Sequence, residues 1–151
     1  MPTSEKRSPL LKFIDTSTPL SDGELARFAA LFDDKLPEAF LRFYQQHNGG
    51  YLREEGEEPD PSGIDSFIPA SYGDNPIEAL HQTFAEGFAH LVEFVPFAAD
   101  RYGNCYLLSL RDEGHGRVYL HLLDGDELID IADSFAELID DLQQRAGADS
   151  A

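Results

Sequence analysis

Residues 94–110 read FVPFAADRYGNCYLLSL, with two apolar runs, Phe94–Ala98 and Cys105–Leu110, on either side of the polar stop Asp100-Arg101-Tyr102-Gly103-Asn104. Aromatic and branched residues broken by a Gly/Asn turn predict a β-hairpin. In the second run Tyr106, Leu108 and Leu110 alternate with Leu107, so both faces of that strand are apolar. Such a strand belongs in the middle of a sheet. It has to be covered on both sides, and helices elsewhere in the chain must supply part of that cover.

Those helices can be located. Ser21-Asp22-Gly23-Glu24 is a capping box, followed by Leu25, Phe28, Ala29 and Phe32 at helical spacing. In LPEAFLRFYQQHNGGYL, Leu36 to Leu52, Pro37 and Glu38 suit a first helical turn and Leu36, Phe40, Leu41 and Tyr44 form one face. Asn48-Gly49-Gly50 tolerates positive φ and ends that helix. Ile64–Tyr72 predicts a strand. Asn75-Pro76 then opens a helix carrying Ile77, Leu80, Phe84, Phe88 and Leu91, weakened by Gly87. Beyond the hairpin, 112–116 form a turn, Arg117–Leu123 a strand, Asp124-Gly125 a tight turn and Leu128–Ile131 a short strand. Ser134 and Glu137 make a second capping box, with Phe135, Leu138, Ile139 and Leu142 on the inward face of a last helix.

The expected fold class is α+β: a single, mainly antiparallel, meandering β-sheet with helices packed against it. One domain spans 21–145. An N-terminal extension, 1–20, with Pro2, Pro9 and Pro19, is partly loose, although Leu10, Leu11, Phe13 and Ile14 form a short apolar segment able to dock. Residues 146–151 are a frayed tail. At 151 residues the chain can bury a core large enough to need neither metal nor disulfide. Its lone cysteine, Cys105, excludes an intrachain disulfide and reads as a buried, inert thiol. No apolar run reaches the length of a signal peptide or a membrane span. We expect a soluble, cytoplasmic protein.

Charge is unevenly spread. Residues 1–50 hold six Lys/Arg against seven Asp/Glu, a net of −1; residues 51–151 hold five Arg against twenty-two Asp/Glu, a net of −17. Such a surface repels nucleic acid and anionic lipid and suits a basic protein partner. High negative charge also serves plain solubility.

Motifs of catalysis are missing. Gly49-Gly50 follows a helix and lacks the Gly-x-x-x-x-Gly-Lys spacing of a phosphate loop. The five histidines, His47, His81, His90, His115 and His121, contain no His-Glu-x-x-His, and His121 is expected to pair or cap on an outer strand face. No Gly-x-Ser-x-Gly elbow occurs, and Asp124-Gly125-Asp126-Glu127 departs from a calcium loop at Leu128. No catalytic residue, metal ligand or cofactor is therefore assigned. Candidate partner-binding residues are the acids of the 53–62 loop, Glu54, Glu55, Glu57, Glu58 and Asp60; Asp100 and Tyr102 at the hairpin tip; and Asp124, Asp126 and Glu127 at the next turn. Tyr51, Tyr72 and Tyr102 are possible aromatic anchors near these loops.

LPEAFLRFYQQHNGG, FVPFAADRYGNCYLLSL, RVYLHLLD and ADSFAELIDDL, in this order and spacing, resemble the SUKH superfamily, founded on the Smi/Knr-type fungal cell-wall regulator. The resemblance runs from Ser21 to Leu142. It implies an α+β fold without established catalytic residues. It also implies two roles. Many bacterial members are immunity proteins that bind and neutralise a toxin, often a nuclease; others, fungal members included, act as regulatory or scaffold protein-interaction modules. The leading expectation is a non-enzymatic immunity protein, monomeric, binding a basic toxin domain and neither nucleic acid nor membrane.

Overall fold

The computed structural model describes residues 16–51 and 64–150, with side chains to 144. Four α-helices, α1 (Asp22–Leu31), α2 (Glu38–Gln46), α3 (Ile77–Gly87) and α4 (Phe135–Ser150), accompany one six-stranded sheet. Its strands are β1 (Gly50–Tyr51), β2 (Ser66–Phe67), β3 (Phe94–Ala99), β4 (Cys105–Ser109), β5 (Val118–Leu122) and β6 (Glu127–Ala132). Each strand pairs antiparallel with the next, in chain order. The fold is α+β, as the sequence predicts. Among the described residues no helix is long and apolar enough to cross a membrane.

Both faces of the central hairpin are covered. Val95, Phe97, Tyr106, Leu108 and Val118 pack against Phe40, Phe43 and Tyr44 of α2, Phe135, Leu138 and Leu142 of α4, and Phe28 of α1. Phe94 and Leu107 point the other way, onto Phe84 of α3 and Leu91. Phe40, Phe97 and Phe135 meet edge to face at 4.9–5.7 Å between ring centres, the arrangement aromatic quadrupoles favour. Full burial of each such ring contributes about 1.5–3 kcal/mol.

Two polar side chains hold the layers in register. The buried Tyr44 hydroxyl lies 2.7 Å from the Ile68 carbonyl and 3.0 Å from that of Phe97, joining α2 to β3 and the segment after β2. Burial raises its pKa well above that of a free phenol. Asn48 donates to the carbonyls of Thr18 (2.8 Å) and Ala70 (3.0 Å) and accepts from the Ala70 amide (2.8 Å). Gly49 follows at φ +82°, so close to Pro69 that a Cβ would lie 2.9 Å from the proline nitrogen. Only glycine fits there.

Within the extension expected to be partly loose, residues 16–20 are tied down: the Ser17 amide donates to the Asn48 carbonyl and Leu20 is buried in the core. The docking segment, Leu10 to Ile14, lies outside the described residues. Ile64–Tyr72 forms a strand only at Ser66–Phe67, and Gly50–Tyr51 adds a strand the sequence reading misses. Helix α4 continues to Ser150, through the tail expected to fray. Glu137 reaches back to the Asp133 amide, not that of Ser134, so the second capping box is displaced by one residue at that end.

Candidate binding surface at the turn end of the sheet

The strand register brings most of the candidate residues to one end of the sheet. Tyr51 lies opposite Ser66, Ser66 opposite Ala99, Ala99 opposite Cys105, Cys105 opposite His121, and Leu122 opposite Glu127. Antiparallel order then requires that the β1–β2, β3–β4 and β5–β6 connections all leave from the same edge. Glu54, Glu55, Glu57, Glu58 and Asp60 belong to the first connection and lie outside the described residues, but its flanks, Tyr51 and Asp65, stand at this end. So do Asp100, Tyr102, Asp124, Asp126 and Glu127.

Within that group the side chains have different work. Asp100 is engaged within its own turn: its carboxylate accepts from the amides of Tyr102 and Asn104, each at 2.9 Å, and from the Asn104 side-chain amide at 3.2 Å. An aspartate bonded to the backbone two and four residues on shapes the turn. Asn104 uses its carbonyl oxygen to accept from the Leu123 amide at 3.1 Å, which fastens the β3–β4 turn to the β5–β6 turn. Tyr102 projects from the tip, 73% exposed, with the Arg101 guanidinium 5.5 Å from its ring centre. Leu123 is exposed beside it, and Asp124 and Glu127 present carboxylates to solvent.

Asp126 is bound from below. Its two oxygens meet two imidazoles, His121 Nε2 at 2.6 Å and His90 Nε2 at 3.1 Å. A carboxylate only accepts, so each facing nitrogen carries the proton. Hydrogen bonding to His121, with the nearby charge of His90, holds the Asp126 carboxyl below the usual range. His121 is fully buried rather than on an outer face, because Phe84 and Phe88 cover it with ring centres at 5.5 and 4.8 Å. Among the described residues its Nδ1 has no hydrogen-bond partner.

The same arrangement bears on catalysis. Cys105 lies across from His121 with an aspartate behind the imidazole, the residue types of a nucleophile, base and orienter. The thiol is nevertheless wrong for the part. Burial, with help from Asp100, pushes its pKa up to about 11, and Nδ1 makes no bond to it. Among the described residues no group of three or more His, Cys, Asp or Glu is set to hold a metal.

Tyr72 is elsewhere. Its hydroxyl bonds to Glu24 at the start of α1, so it is no anchor for this end. His90 and Leu123 are additions that the sequence reading misses. Leu123 could have been inferred from strand alternation carried into the turn; His90 depends on a 3-10 turn, Ala89–Leu91, after Gly87 ends α3. A second, shallower feature is a groove of about 290 Å³ between α2 and α4, with Phe43, Phe135 and Ile139 along it and Arg42 and Asp140 at its rim.

No curated protein matches the sequence significantly. The model of the SMI1 / KNR4 family (SUKH-1) matches residues 19–141, which run from α1 into the first half of α4 and so take in every residue of the turn end. The chain belongs to the SMI1 / KNR4 family (SUKH-1).

Proposed function

We propose that this protein is an immunity protein: a non-catalytic, cytoplasmic binder that neutralises a basic, nuclease-type bacterial toxin by direct stoichiometric contact. The observation that carries the reading is the convergence of three connections on one end of the sheet. Asp124 and Glu127 supply negative charge, Tyr102 and Leu123 supply exposed apolar surface, and the carboxylates of 54–60 belong to the third connection. A nuclease must meet phosphate with Lys and Arg, so an acidic surface can occupy the same groups and associate quickly through electrostatic steering. Tyr102 is the natural anchor, since a tyrosine ringed by charge combines contact area with a polar tip.

The first test is the neighbouring genes: a toxin-bearing reading frame beside this one supports the reading, and its toxin domain is then the binding probe. Replacing Asp124 with Asn and Glu127, Glu54, Glu55, Glu57 and Glu58 with Gln is expected to slow association about tenfold at low salt and flatten its salt dependence. Tyr102→Ala is expected to cost about 2 kcal/mol of affinity, mainly in dissociation. Unchanged rates in both would remove this end of the sheet from the interface. The rival reading is a regulatory or scaffold module. The α2–α4 groove favours it, being of a size and composition to take a side chain or two of a peptide. Loss of binding on Phe43→Ala or Ile139→Ala, with Tyr102→Ala silent, would decide for that reading.

A further inference from the structure

Among the described residues the last strand of the sheet is open: β6 pairs with β5 on one side and with nothing on the other, and its backbone makes no hydrogen bond beyond the β5 pairing. Five consecutive residues, Glu127 to Ile131, are exposed, and three are large and aliphatic: Leu128 (38%), Ile129 (43%) and Ile131 (39%). Leu128 faces the His121 side and Ile129 the Leu120 side, so apolar surface flanks the free edge on both faces. An edge of this kind is a template for another strand, and soluble proteins guard theirs. Here the guards are a register shift between Val118 and Tyr119 and the carboxylates of Glu127, Asp130 and Asp133, the last two sharing Arg117 so that the edge keeps a net negative charge. No lysine is among them. Anionic guards repel a second copy of a chain carrying −18 but admit a cationic strand.

We propose that β6 is a docking edge that takes an extended, basic segment of a partner protein as a seventh, added strand. Main-chain hydrogen bonds would supply the register, and Leu128, Ile129 and Ile131 would receive alternate apolar side chains of the segment. Glu127 would meet its cationic residues at the turn end. The inference rests on the basic partner proposed above for its charge, and adds the mode of attachment.

The probe is a capped octapeptide of alternating Lys and Val, titrated onto the intact protein with amide hydrogen exchange as the readout. Exchange of the outward-facing β6 amides is expected to slow about tenfold or more at saturation. The same peptide N-methylated at alternate positions, and one of alternating Glu and Val, are expected to leave β6 unprotected. Ile129→Lys with Ile131→Lys is expected to abolish the protection while the circular dichroism spectrum stays unchanged. The N-methylated control on unaltered protein decides the matter should that variant misfold. Salt-dependent protection confined to 100–104 and 123–126 would overturn strand addition and leave the acidic-surface reading standing. Binding of the lysine peptide nowhere would sink both. Equal binding of the N-methylated or glutamate peptide, or a dimer that Ile129→Lys dissolves, would also overturn the proposal.

Discussion

Asp126 sits in a left-handed conformation, φ +53°, between two histidines from separate elements. Its folded-state pKa is depressed, chiefly by His121. A carboxyl of this kind stabilises the native state at pH above its unfolded value, and the contribution disappears as pH falls through the folded value. Asp126→Asn should therefore lower stability at neutral pH, with the gap to the parent closing towards pH ~3. Urea midpoints at the two pH values check this; a constant gap would mean the loss is packing and not charge. At this scale the sequence is only partly informative. Asp124, Asp126 and Glu127 are legible as turn acids, and Ser21 with Glu24 as a capping box, observed at 3.1 and 2.9 Å. The bond from Asp126 to His90 spans 36 positions and follows from the packing of α3 on the sheet, which no local pattern encodes. The turn-shaping bonds of Asp100 are hidden for a similar reason: an aspartate in a Gly/Asn turn shows what it holds only once the backbone amides are placed.

Among the elements, the apolar runs do most to specify the fold, because a strand apolar on both faces dictates two covering layers. Both hairpin strands start where expected and end within one residue of their expected bounds, and Pro96 is accommodated in a central strand beside a register shift between Pro96 and Ala98. β1 and the truncated β2 are less legible, since two-residue strands leave no periodicity to read. The second layer is thin, with Phe84, Phe88 and Leu91 shielding Cys105 and His121. With its pKa near 11, the native thiol is expected to react with a disulfide reagent at pH 8 roughly a hundredfold slower than a free cysteine. Phe84→Ala should cost about 3 kcal/mol and release much of that protection. Fast labelling of the parent protein would mean the layer opens far more readily than its packing implies.

Over the whole molecule, fold class follows from pattern, while the proposed function rests on charge and register together. Net charge alone says nothing of where the acids gather, and carboxylates also line α1, α3 and α4. It is the meander that collects alternate connections at one edge. A net charge of −18 on 151 residues has a cost in self-repulsion that salt relieves. Raising salt from about 0.02 to 0.5 M is expected to raise Tm by a few degrees, followed by calorimetry. A flat response would mean the ion pairs of Arg117 with Asp130 and Asp133 and of Arg42 with Glu38 balance the repulsion locally. The small amide of Asn104 has a wider bearing. By clasping Leu123 it makes two neighbouring hairpins a single mechanical body, so a visitor that grips one tip also orders the other. Truncations at Tyr102 and Leu123 should then fail to add up as independent losses, each side chain lending rigidity to its neighbour's hold.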